Sequence, residues 1–147
     1  MKKLAITFGV ALASFFSIAQ EEVKTGGAQI SFDKEIHDYG TIDQGGNGEC
    51  AFTFTNTGNE PLIITKAKGS CGCTVPDWPK EPIAPGAKGT IKVKYDTNRV
   101  GPINKTVTVE SNASNAENGV KTIRIKGNVK APEDLTPKKE PVGPIVE

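Results

Sequence analysis

The sequence predicts an all-β chain, an immunoglobulin-like β-sandwich of about seven strands. Three observations carry that expectation. Short segments of alternating apolar and polar residues recur from residue 29 to residue 127. Turn residues stand between them, with 16 glycines and 10 prolines in 147 residues. No segment after the first twenty residues keeps the 3.6-residue apolar period of a helix.

The chain opens with an export pattern. Lys2 and Lys3 precede an apolar stretch from Leu4 to Ala19 that ends Ser17-Ile18-Ala19, with small residues where a signal peptidase needs them. Cleavage is expected between Ala19 and Gln20, making residues 1–19 a signal peptide, with no transmembrane segment after processing. The stretch is shorter than the ~20 residues of a membrane-spanning helix. Export leads to the periplasm or to the extracellular face. Removing two of the 18 cations leaves 16 against 17 anions, a mature net charge of −1. Such a chain lacks the clustered cations that nucleic-acid binding requires.

After a polar lead-in over residues 20–28, the strands follow in order. Residues 29–32 alternate. Residues 36–42 alternate poorly and place Ile36, Asp38, Gly40 and Ile42 on one face, which marks an edge strand kinked at Gly40. Residues 49–56 are the clearest strand: Cys50, Phe52 and Phe54 face one way, Ala51, Thr53 and Thr55 the other. The next strand starts at Leu62 and runs toward Gly69. Residues 70–85 carry prolines at 76, 79, 82 and 85 and are expected to be irregular. Residues 89–95 turn Ile91, Val93 and Tyr95 inward. Asp96 to Pro102 reads as a loop. Residues 105–110 turn Val107 and Val109 inward, and residues 120–127 turn Ile123 and Ile125 inward. Two sheets must face each other to bury these side chains, which defines one domain over residues 29–129. Residues 130–147 mix four prolines with charge and cannot bury a face, so a passive disordered tail is expected, with a spacer role as the alternative.

Chemistry concentrates in three cysteines: Cys50, Cys71 and Cys73. Four arrangements are open for an exported chain. Cys50 can bond to Cys71 or Cys73, closing a loop of about twenty residues for roughly 3 kcal/mol. Cys71 and Cys73 can bond to each other across Gly72 in a small, easily reduced ring that suits a redox role. They can hold a soft metal such as Cu(I) or Zn(II), with Cys50 or His37. All three can be free or buried thiols. His37 reads as a surface residue on an edge strand; with Asp38 on the opposite face, the two make no catalytic pair. Asp96-Thr97-Asn98 reads as a turn, lacking the glycine and terminal glutamate of a calcium loop. Trp78, among prolines, reads as a lid over one end of the core, with an exposed contact for a protein or glycan as the alternative.

Several segments together resemble a bacterial family of exported domains of unknown function, the one numbered 1573. They are Tyr39-Gly40-Thr41-Ile42, Phe52-Thr53-Phe54-Thr55-Asn56-Thr57-Gly58, Pro61-Leu62-Ile63-Ile64, Ser70-Cys71-Gly72-Cys73-Thr74, Pro85-Gly86, Val100-Gly101-Pro102, Lys105-Thr106-Val107 and Ser111-Asn112. Such chains are typical of Bacteroidetes-like bacteria. The resemblance implies an immunoglobulin-like sandwich related to major sperm protein and Hydin-type domains, with no catalytic activity. No cofactor is expected. Cys71 and Cys73 match the family motif, and Cys50 lies outside it. The expected function is a non-catalytic exported binding or scaffolding module of the cell envelope, with a protein or glycan partner. The alternative is a thiol site, redox or metal-binding, at Cys71 and Cys73 with Cys50. A third reading is an accessory subunit of a larger envelope assembly.

Overall fold

The computed structural model describes residues 26–133. The expected signal peptide, most of the lead-in and the tail beyond residue 133 lie outside the described residues. Eight strands follow one another: β1 (Ile30–Phe32), β2 (Ile36–Asp43), β3 (Glu49–Asn56), β4 (Ile64–Gly69), β5 (Thr74–Asp77), β6 (Lys88–Tyr95), β7 (Gly101–Ser111) and β8 (Val120–Lys130). They form two four-stranded sheets, ordered β1-β3-β6-β5 and β2-β8-β7-β4. Every pairing is antiparallel except that of β2 with β8, which is parallel. The chain therefore switches sheets between β1 and β2. The rest follows the immunoglobulin constant-type arrangement, four strands facing three, with β2 added to the second sheet. Among the described residues no helix is long and apolar enough to cross a membrane.

The period-two pattern explains the core. Phe52, Phe54, Ile91, Val93 and Tyr95 point inward from the first sheet and meet Ile103, Val107, Val109, Ile123, Ile125 and Val129 from the second. Each large apolar side chain removed from water in this layer contributes roughly 1.5–3 kcal/mol before entropy is set against it. At one end the buried Asn56 ties loops together. Its Oδ1 accepts from the Gln29 and Gly58 amides, and its Nδ2 donates to the Glu60 and Ile83 carbonyls at 2.7 and 2.9 Å. The outer edge of β1 is closed by a side chain acting as a strand: the Ile30 amide donates to Asn115 Oδ1, and Asn115 Nδ2 donates back to the Ile30 carbonyl, both at 2.9 Å.

Four details differ from the sequence reading. The segment expected to be irregular contains β5, paired with β6 through Thr74↔Tyr95 and Asp77↔Lys92. Pro76 is tolerated because β5 is an edge strand, where a missing N–H costs no ladder bond. β7 begins at Gly101 rather than after the loop; β4 pairs no further than Val107, so Pro102 also sits where β7 is an edge. Leu62 forms only an isolated bridge with Ile83, and the strand proper starts at Ile64.

The fourth difference is β2. It is an edge strand with a register shift between Asp38 and Thr41, and Gly40 has a φ of 62°. The kink falls where the sequence placed it, yet the facing is inverted before it. Ile36 is 54% exposed, whereas His37 and Tyr39 turn inward and are half-buried. The irregularity shifts the alternation by one, so Ile42 packs against the core although Ile36 does not.

Candidate functional site

β4 closes one edge of the second sheet and β5 one edge of the first, on the same side of the sandwich. The chain passes between them through Ser70-Cys71-Gly72-Cys73, so the cysteine motif forms a corner joining two sheet edges. Gly69 allows the corner to be tight: a Cβ there would fall on the Thr74 carbonyl. Ser70 anchors the entry, its amide donating to the Thr106 carbonyl at 2.8 Å and its hydroxyl accepting from the Thr106 amide at 3.2 Å. Cys71 and Cys73 have Cα atoms 5.2 Å apart and sulfurs in disulfide contact. The two differ in exposure: Cys71 is half-buried, while Cys73 is 3% exposed and belongs to the core. Thr74 Oγ1 lies 3.7 Å from Cys71 Sγ and 3.8 Å from Cys73 Sγ. Gly72 faces open space. Beside the corner runs a shallow recess lined by Ala67, Gly69, Ser70, Cys71, Thr74 and Pro76.

Cys50 is a correction. Of the four arrangements, the bond from Cys50 to Cys71 or Cys73 is not formed, and Cys50 is free. Cys50 pairs across to Val93 on β6, and Val93 pairs on to Pro76 on β5. A whole strand therefore stands between the Cys50 strand and the one that follows Cys73. Two inter-strand spacings amount to about 10 Å, beyond the reach of a disulfide. Such a bond would need β3 and β4, consecutive in sequence, to lie side by side, but they lie in opposite sheets. Burial pushes the Cys50 thiol up, with Tyr39 and Lys34 opposing. The arrangement with a metal on Cys71, Cys73 and Cys50 or His37 is not assembled either. Among the described residues no three His, Cys, Asp or Glu side chains stand together to hold an ion.

His37 likewise departs from a surface residue. Its ring lies edge-on to Tyr39, with centroids 4.6 Å apart, and near Phe52 at 6.4 Å. Its Nδ1 is 3.4 Å from Lys34 Nζ. Burial first, then the Lys34 ammonium, hold its pKa below the ordinary histidine value, against the opposing pull of Asp38. Tyr39 donates its hydroxyl to the Gly48 carbonyl at 2.7 Å, and burial pushes its ionisation up, assisted by Cys50. The cluster is a packing device at the edge strand.

Trp78 packs against the core as a lid, as the first reading of the sequence has it. Its indole Nε1 is buried without a protein partner. Lys80 Nζ sits 3.0 Å from the ring centroid, so an ammonium occupies the π-face that a sugar would stack on.

Another surface depression lies on the outer face of the first sheet. It is an open groove of ≈ 630 Å³. Two rows cross it in register, Glu49↔Lys94↔Val75 and Ala51↔Lys92↔Asp77. Lys92 and Lys94 form a central ridge between two carboxylates. The short apolar residues Ala51 and Val75 make hollows at diagonal corners, and Val75 is 60% exposed. The sequence reading missed this surface because Val75 lay in a segment whose prolines concealed a strand. The alternation that puts Lys92 and Lys94 outward was its only available signal.

The comparisons with known proteins agree with this architecture. A protein of unknown function from Porphyromonas gingivalis W83 superposes with a TM-score of 0.62 at 15% identity, over 71% of this chain and 48% of that one. The VesB protease of Vibrio cholerae gives 0.56 at 20% identity, over 68% of this chain and 32% of that one. The human CEP192 ASH/PapD-like domain 7 gives 0.55 at 10% identity, over 90% of this chain and 100% of that domain. This chain thus spans about half the length of the Porphyromonas protein and a third of the protease. At such identities the likeness concerns the fold alone: an immunoglobulin-like sandwich. No curated protein matches the sequence. The family model described as "Protein of unknown function (DUF1573)" matches residues 30–129, and the chain belongs to that family.

Proposed function

We propose that this protein is a non-catalytic, exported binding or scaffolding module of the bacterial cell envelope. Its partner is a protein, held on the outer face of the β1-β3-β6-β5 sheet. The export pattern of residues 1–19 supports a periplasmic or extracellular location. The observation that carries the binding reading is the groove across β3, β6 and β5. There Val75 and Ala51 offer apolar contact between the charges of Glu49, Lys92, Lys94 and Asp77. Small apolar hollows beside a charged ridge match the mixed, largely polar character of a transient protein interface. A protein partner is preferred to a glycan because Trp78 spends its ring on the core and on Lys80. The non-catalytic reading is supported by the setting of His37, whose neighbours are two aromatic rings and a lysine rather than a nucleophile it could activate.

The test is a photo-crosslinking residue placed at Val75 in the native host, with a control at the exposed Asn104 on the other sheet. A discrete adduct from position 75, absent from position 104, is expected. Val75→Glu should abolish binding of the identified partner without lowering Tm. Equal labelling from both positions, or no adduct at 75, sinks this reading.

A further inference from the structure

We propose that Cys71 and Cys73 form a thiol–disulfide exchange site whose substrate is a dithiol, with Cys71 as the sulfur that is attacked. This goes beyond the binding reading and stands without it.

The geometry of the corner carries the inference. A crosslink stabilises a fold mainly by closing a loop in the unfolded chain, and the gain grows with loop length. Cys71 and Cys73 are two residues apart, so their bond restrains almost nothing that β4, β5 and the Ser70–Thr106 hydrogen bonds do not already hold. Stability therefore does not account for the pair. Its surroundings fit exchange instead. Exchange needs one sulfur open to an incoming thiolate and a second that leaves. Cys71 is the accessible one. It flanks Gly72, over which there is open space, and it lines the recess between the two sheet edges. Cys73 is buried, so a reagent reaches it far less readily than Cys71. Thr74 Oγ1 stands within 3.8 Å of both sulfurs, where its hydroxyl can donate to a thiolate on either.

The reaction balances as follows. A thiolate of the dithiol attacks Cys71 Sγ, forming a mixed disulfide and breaking the Cys71–Cys73 bond. The electron pair leaves on Cys73 Sγ, which receives the Thr74 hydrogen bond and then a proton from water. The second thiolate of the dithiol attacks its own partner sulfur in the mixed disulfide, releasing Cys71 as a thiolate that also takes a proton. The dithiol is oxidised to a disulfide, and the Cys71–Cys73 bond is reduced to two thiols.

The experiment uses the processed full chain carrying Cys50→Ala, so that only this pair reports. Dithiothreitol and glutathione buffers serve as the dithiol and monothiol probes, with thiols counted by alkylation and intact mass. Rapid reduction by dithiothreitol is expected, with glutathione producing a trappable adduct on Cys71. In the Cys73→Ser variant, Cys71 should react with oxidised glutathione about tenfold faster than Cys73 does in Cys71→Ser. Thr74→Val should raise the pH at which reduced Cys73 alkylates, while circular dichroism and Tm stay unchanged. If a serine variant fails to fold, the order of alkylation in the reduced pair, read by peptide mass, decides the same point. A bond that persists in excess dithiothreitol overturns the proposal. So does equal or reversed reactivity of the two sulfurs.

Discussion

Asn56 shows how much a single side chain carries here. It is fully buried and uses its whole amide, accepting from two backbone N–H groups and donating to two carbonyls. Asn56→Ala strands those backbone groups away from water, and a loss of about 3 kcal/mol is expected in urea unfolding. Asn56→Asp should be worse than a simple loss of two donors, because it also buries a charge. His37 predicts a pH dependence. Its folded pKa lies below the unfolded value, so the unfolded chain binds the extra proton first. Its contribution is present above the unfolded pKa of about 6.5 and is lost as the pH falls through the window beneath it. Tm should therefore fall as the pH drops below about 6.5, and His37→Gln should flatten that slope. Asp38 acts lower on the scale. The Gly40 amide and then Lys126 hold its carboxyl below the usual carboxylate range, so its contribution is lost only on stronger acidification. Neither His37 nor Asn56 could be assigned this role from sequence. A lone histidine on a poorly alternating strand reads as exposed, and an asparagine ending a strand reads as a turn.

At the scale of the element, legibility followed the strength of alternation. β3, β6 and β8 alternate cleanly, and their inward residues are Phe52, Phe54, Ile91, Val93, Tyr95, Ile123 and Ile125, as expected. β2 and β5 obey different physics. β2 inverts its facing because one irregularity at Gly40 moves every later side chain to the other face. Gly40 adopts a left-handed conformation with open space around it, so a substitution there costs backbone energy alone. Gly40→Ala should destabilise by about 1–2 kcal/mol, and Gly40→Asn by less, since asparagine tolerates that region. β5 was hidden by Pro76, a residue that argues against a strand in general but not against an edge strand. The cysteine corner was half legible. The spacing of Cys71 and Cys73 across Gly72 left their pairing as one of four open arrangements. Their unequal burial and the hydroxyl of Thr74 beside them depended on which sheet edges the corner joins.

The whole molecule is two sheets sharing one apolar layer, so neither sheet can lose its inner face alone. One cooperative unfolding transition is expected. Trp78 fluorescence reports the β5 side of the core, and far-ultraviolet circular dichroism reports both sheets. Their midpoints should coincide, and Phe52→Ala should lower both together by about 3–5 kcal/mol. Non-coincident transitions would mean that the Trp78 side opens separately. The sequence by itself determined the class of fold, since side chains alternating along successive short strands can be buried only between two facing sheets. It also determined the inward residues of β3, β6 and β8 from Phe52 to Ile125. Partnership was decided by the tertiary structure. Cys50 parted from Cys71 and Cys73, His37 turned inward, and Val75 came into line with Lys94 and Glu49. The reason is that alternation is a local property of one strand. Which strand lies beside it is a non-local choice, made when the chain crosses between sheets.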